Sequence, residues 1–133
     1  MPVLDAMFLI DVRRGKHGAR EALDRMASQP EAILVPMQAA IEYATSLADV
    51  AQGFRELVES FEVVDLDEPI AREAARLAQE AIRKGKFPGW GDAQVAATAR
   101  HRGMWIASTN VRHLRDALSC RVWDYRREAE PPE

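Results

Sequence analysis

Apolar residues along this chain fall into two patterns, short continuous runs and longer stretches in which they recur every third or fourth position. The runs read as buried strands and the stretches as amphipathic helices. Val3-Leu4 is the first run, closed by Asp5, after which Phe8, Leu9 and Val12 take up helical spacing. Gly15 to Gly18 break that helix, and Ala22, Leu23 and Met26 supply the apolar face of another over 19–27. Ala32 to Val35 is a second strand, closed by Pro36, a residue well suited to a helix's first turn. Met37, Ala40, Ile41, Ala44 and Leu47 then mark a helix over 37–48, with Gln38, Glu42, Thr45 and Asp49 on its polar face.

A helical segment carrying Leu57, Val58 and Phe61 leads to a third strand at 62–66. Asp67-Glu68-Pro69 opens the most strongly patterned helix, with Ile70, Ala74, Leu77, Ala78, Ala81 and Ile82 in one stripe and Arg83-Lys84-Gly85-Lys86 at its end. The next helix differs in kind. Pro88-Gly89-Trp90-Gly91 delivers Asp92 onto a first turn, and Ala93, Val95, Ala96, Ala97 and Ala99 leave so little bulk that a sheet or helix can approach closely. Gly103 stops it; residues 104–108 read as a fourth strand, Thr109-Asn110 follow, 111–118 is a short helical piece and 121–123 a last strand. Strands alternating with helices imply an α/β fold, a three-layer α/β/α domain with a central parallel sheet of about four to five strands. One domain is expected over 1–127, with 128–133 a disordered acidic tail.

Composition narrows the chemistry. With 133 residues, 47% of them apolar, the chain can build one real core but not two. No apolar run is long enough to span a membrane and the start lacks a signal-peptide layout, which points to the cytoplasm. The single cysteine, Cys120, reads as a packing residue, since it can form neither an internal disulfide nor a multi-thiolate site. The net charge of −3 conceals segregation. Arg13, Arg14, Lys16 and Arg20 form one basic segment without an acid; five arginines between 100 and 121, including Arg112 and Arg115, form another; ten acids crowd 42–80. Two basic segments flanking candidate acids suit a polyanionic substrate.

Ligands in a parallel sheet gather at the carboxyl ends of the strands. Asp5 follows the first strand, Glu42 lies early in the helix after the second, Asn110 follows the fourth, and Asp92 on its helix start can complete the group. Locally, Asp5 and Asp92 also read as helix-start residues and Glu42 as solvated surface. Carboxylates drawn together repel, and a cation relieves that repulsion. An all-oxygen set of Asp5, Glu42, Asp92 and the Asn110 amide suits Mg²⁺ or Mn²⁺, whereas Zn²⁺ favours thiolates and imidazoles. Waters held by such ions can attack phosphodiesters. His17, His101 and His113 are scattered and frame no nucleophile triad, and neither a P-loop nor a dinucleotide fingerprint is present.

Val3-Leu4-Asp5, Glu42, the run from Gly91 to Ala99, and Ser108-Thr109-Asn110-Val111-Arg112-His113-Leu114 together resemble the four acidic-site motifs of PIN-domain ribonucleases, particularly the VapC-type toxins of toxin–antitoxin pairs. The similarity runs from Val3 to about Tyr125. It implies a PIN fold, Mg²⁺- or Mn²⁺-dependent endoribonuclease activity, a homodimer and an inhibitory VapB-like antitoxin. By the same resemblance Asp5, Glu42 and Asp92 are the metal-binding acids, Asn110 takes the fourth catalytic position, and Thr109 is the hydroxyl beside it. Arg13, Arg14, Lys16, Arg112 and Arg115 are candidates for holding RNA. One departure is Ala6, where many relatives carry Thr or Ser after the first acid. The alternative left open is a catalytically weak PIN-like module that binds RNA or protein.

Overall fold

A computed structural model describes residues 2–132. Five short strands form one sheet: β1 Pro2–Leu4, β2 Leu34–Pro36, β3 Glu62–Val64, β4 Trp105–Ala107 and β5 Val122–Trp123. All pairings are parallel and the order is β3-β2-β1-β4-β5. Helices flank the sheet: α1 Ala6–Arg14, α2 Ala19–Ala27, α3 Met37–Thr45, α4 Val50–Ser60, α5 Glu68–Arg83 and α6 Trp90–Arg102. The expected α/β architecture is therefore present, with a sheet of five strands.

β2 to β5 are shorter than the runs that announced them, because only part of each run finds a partner strand, whereas β1 takes in Pro2 as well as Val3-Leu4. Pro36, expected to open a helix, closes β2 and sits at the N-cap of α3. α4 begins at Val50, where the Asp49 side chain accepts from Gln52 N–H at 3.0 Å and caps the helix. The helical piece after β4 is a π-type turn, Arg112–Ala117, in which Leu118 N–H reaches back five residues to the His113 carbonyl at 3.1 Å.

Two features position the site. The chain runs from β1 outward to β2 and β3, then returns to place β4 on the other side of β1. The order thus reverses between β1 and β4, and a crevice opens at their carboxyl ends. Second, α6 lies against α5, α3 and the strands β1, β2 and β4. Ala93, Ala96, Ala97 and Ala99 are wholly buried there, so the small-residue face does bring backbone close to backbone. Cys120 packs below it as expected, its thiol pushed up to about 11 by burial.

The C-terminal segment is tied to α1. The Phe8 and Tyr125 rings meet edge to face at 4.7 Å. Tyr125 O–H donates to the buried Asp11 carboxylate at 2.6 Å, and Arg126 donates to the same oxygen at 2.8 and 3.2 Å. Burial alone would raise Asp11; the bonds from Tyr125 and Arg126, with the charges of Arg126 and His17, more than offset it and hold the carboxyl below its ordinary range. In the segment expected as a tail, Glu128 accepts from Asp124 N–H at 2.9 Å and from Arg115 at 3.1 Å, and Arg25 pairs with Glu130. Glu133 lies outside the described residues.

Candidate active site

Register brings the first acid into place. Leu4 pairs with Ala107, so the next residues, Asp5 and Ser108, leave β1 and β4 side by side. Asp5 caps α1, one carboxylate oxygen accepting from Ala6 N–H at 2.8 Å, while the other accepts from Ser108 O–H at 2.7 Å. The Ser108 oxygen also accepts from Asn110 N–H at 3.0 Å. With that lone pair taken, its single proton is committed to Asp5. Both residues are buried, Ser108 completely. Burial raises the Asp5 carboxyl above its ordinary value, the Asp92 charge adds to this, and the bonds from Ser108 and Ala6 oppose it.

Asp92 stands in the first turn of α6, where the helix dipole favours its charge. Gly89, at φ +117°, turns the chain into that helix. Asn110 Nδ2 lies 3.3 and 3.4 Å from the two Asp92 oxygens, and His113 Nδ1 is 3.0 Å from Oδ2. Glu42 is solvent-exposed on the outer side of α3, as its polar-face position predicts, yet enough protein crowds one side to raise its carboxyl. Burial is the largest cause, followed by the charges of Asp5 and Asp92, and a bond from Gln38 opposes them. Gln38 is held in turn by the close approach of α6: a Cβ on Gly91 would meet Gln38 Nε2 at 3.2 Å.

The structure thus gathers Asp5, Asp92 and Asn110 at one sheet edge, with Glu42 coupled to both acids through its charge. Thr109, expected to be the hydroxyl beside the site, makes no side-chain hydrogen bond among the described residues; the hydroxyl that bonds Asp5 is that of Ser108. Ser108 and His113 are participants that periodicity does not reveal, whereas Gln38 shares the polar face of Glu42 by helical period. Ser108 was discoverable only from the β1–β4 register, and His113 only from the π-type turn that brings it back to Asp92. Ala6, whose side chain cannot donate, offers Asp5 its backbone N–H alone.

Among the described residues, no three His, Cys, Asp or Glu side chains already enclose an ion position. The donor chemistry nevertheless fits a hard divalent cation. Mg²⁺ is commonly bound through one or two carboxylates and keeps several waters, so three protein ligands are not required. Burial raises both Asp5 and Glu42 most; the charge of Asp92 on Asp5, and those of Asp5 and Asp92 on Glu42, add the repulsion that a cation would relieve.

The basic candidates divide. Arg13 donates to Glu56 at 3.0 Å and lies 3.3 Å from the Tyr43 hydroxyl; Arg115 donates to the Val122 carbonyl at 2.6 Å and to Glu128. Both are occupied within the protein. Arg14, Lys16 and Arg112 are exposed and, among the described residues, carry no ion pair.

The fold recurs in solved structures. FitAcB from Neisseria gonorrhoeae superposes with a TM-score of 0.78 at 20% identity, covering 96% of this chain and 100% of that one. VapBC from Salmonella typhimurium bound to DNA gives 0.74 at 21% identity, over 93% and 97% of the two chains. VapBC2 from Rickettsia felis, bound to a DNA fragment from its promoter, gives 0.74 at 16%, over 92% and 98%. No curated protein matches the sequence at a significant level. The sequence profile of the PIN domain matches residues 3–117, which span β1 through the π-type turn and hold every acid of the site. The chain therefore belongs to the PIN domain family.

Proposed function

We propose that this chain is a Mg²⁺- or Mn²⁺-dependent endoribonuclease acting as the VapC-type toxin of a toxin–antitoxin pair in the cytoplasm. The observation that carries the reading is the Asp5–Ser108 bond across the β1/β4 crevice, which holds a buried carboxylate beside Asp92 and Glu42 despite their mutual repulsion. Asp5, Asp92 and Glu42 are the residues that would hold the ion. When bound, it would supply Lewis acidity toward the phosphate oxygens and ease deprotonation of the attacking water.

The chain's own residues do the rest. Ser108 and Ala6 fix both oxygens of Asp5, so the carboxylate enters the reaction already oriented. Asn110 holds Asp92 through its NH₂ and keeps its amide oxygen available to orient a water. Glu42, exposed on α3 and coupled to Asp5 and Asp92 through charge, would accept that water's proton. Arg14, Lys16 and Arg112 supply unpaired positive charge for the RNA backbone. The relatives solved as toxin–antitoxin complexes support a VapB-like partner, and the exposed apolar residues Ile41 and Val58 support a homodimer.

The test is cleavage of a mixed structured-RNA pool by the purified, antitoxin-free chain in Mn²⁺, with EDTA and with Asp5→Asn. Discrete cuts that need metal and vanish in the variant are expected. Equal cutting by Asp5→Asn removes the assignment. A second reading, a PIN-like binding module with weak catalysis, is favoured by Ala6 and by the occupation of Asp92 by Asn110 and His113. Metal-independent RNA binding without any cut selects it.

A further inference from the structure

The acidic crevice has a neighbour. A cavity of about 490 Å³ lies against it, lined by Lys86, Phe87, Pro88, Arg112, His113 and Asp116 among others. His113 belongs to both places, since its ring lines the cavity while Nδ1 contacts Asp92 at 3.0 Å. Lys86 and Arg112 are exposed and carry no ion pair among the described residues, and Asp116 is the one acid in the lining. The charge there therefore favours an anion. At the cavity wall Phe87 meets the Trp90 indole edge to face, with centroids 4.9 Å apart. Trp90 is 59% exposed, the first residue of α6 and two positions before Asp92. Its ring is held by Phe87 but not covered by it.

A large aromatic surface left in water beside unpaired cations is the combination that recognises single-stranded nucleic acid: bases stack on the ring and phosphates meet the charge. A base already paired and stacked in a duplex offers no free face to such a ring. The cavity volume also falls in the ~300–1,000 Å³ range of sites that take small organic groups.

We propose that the exposed Trp90 ring, seated on Phe87 beside the Lys86/Arg112 cavity, is the stacking surface for one base of the substrate, whose phosphate the cavity takes next to the cleavage position. This rests on the RNA reading above. His113 joins subsite and acids, so a nucleotide seated in the cavity places its neighbouring phosphodiester at Asp92.

The experiment measures anisotropy of a labelled single-stranded oligoribonucleotide of about 12 nucleotides, and of the same sequence as duplex, on Asp5→Asn protein that binds without cutting. Trp90 is compared with Trp90→Ala and Trp90→Phe, each checked for native circular dichroism. Trp90→Ala is expected to weaken single-strand binding by about 5- to 150-fold, the equivalent of ~1–3 kcal/mol of stacking, with Trp90→Phe restoring most of it and duplex binding nearly unchanged. Unchanged single-strand affinity, an equal loss on duplex, or no single-strand binding by the Trp90 protein overturns the subsite and leaves Trp90 as a surface for a protein partner. Failure of the nuclease reading looks different: no metal-dependent cut by the chain with all acids intact, whatever Trp90 does to binding.

Discussion

Ser108→Ala tests the bond that organises the site. The hydroxyl of fully buried Ser108 donates to buried Asp5 and accepts from half-buried Asn110 N–H, and its removal leaves both groups short of a partner. A hydrogen bond to a charged group contributes ~1.5–3 kcal/mol, and one between neutral groups about 1 kcal/mol. The cost of Ser108→Ala therefore depends on whether Asp5 is ionised. Burial first, and the Asp92 charge after it, put the folded carboxyl above its unfolded value of 3.8. The folded chain then binds the proton more tightly, so stability falls as pH rises from the unfolded value through the folded one. Removing the hydroxyl raises the folded value further and steepens that fall. On the alkaline side Ser108→Ala should cost ~2–3 kcal/mol, and on the acid side about 1 kcal/mol. Urea unfolding in EDTA from about pH 4 to about pH 9 reads this directly. With a slope of ~2 kcal/mol/M, the midpoint drops by about 1 M at the alkaline end and about 0.5 M at the acid end. A cost that is flat across pH, or larger at the acid end, refutes the reasoning.

Tyr125→Phe removes one donor from buried Asp11 while Arg126 remains, and should cost ~1–2 kcal/mol at neutral pH by chemical denaturation. Because Asp11 is held below its ordinary value, the stability it contributes is present above the unfolded value and lost as pH falls through the folded one; the Tyr125→Phe deficit should shrink there. Gly91→Ala should leave stability within ~0.5 kcal/mol, since the helical gain from alanine is set against moving Gln38, while cleavage falls as Gln38 shifts from Glu42. A stability loss without a rate loss contradicts that coupling. Mn²⁺ at 100 times its dissociation constant should stabilise the apo chain by ~2.7 kcal/mol in thermal melts, and Asp92→Asn should diminish the effect. No shift in the unsubstituted chain speaks against the ion site.

Periodicity and end signals determined much of this protein. Runs such as Val3-Leu4 and stretches such as Ile70 to Ile82 place strands and helices because burial imposes its own spacing, and the α/β alternation then limits the sheet to a parallel one. The candidates Asp5, Asp92 and Asn110 stood out in the sequence because each follows a strand or opens a helix, and a parallel sheet collects such residues at one edge, whereas Glu42, midway along α3, stood out only by its polar-face position. What periodicity does not carry is register and pairing across distance. Ser108 rather than Thr109 bonds Asp5 because Leu4 faces Ala107, a fact of strand alignment. His113 reaches Asp92 because one turn winds by five residues, and Arg13 and Arg115 bond acids, Glu56 and Glu128, that lie well along the chain from them. The burial of Asp11 beneath Tyr125 and Arg126, and the ordered contacts of Glu128, likewise arise where the chain's end returns to its beginning. Local sequence fixes which residues can meet solvent or core; only the tertiary packing chooses which distant side chain satisfies each buried charge, because that choice is made by geometry between elements that share no sequence neighbourhood.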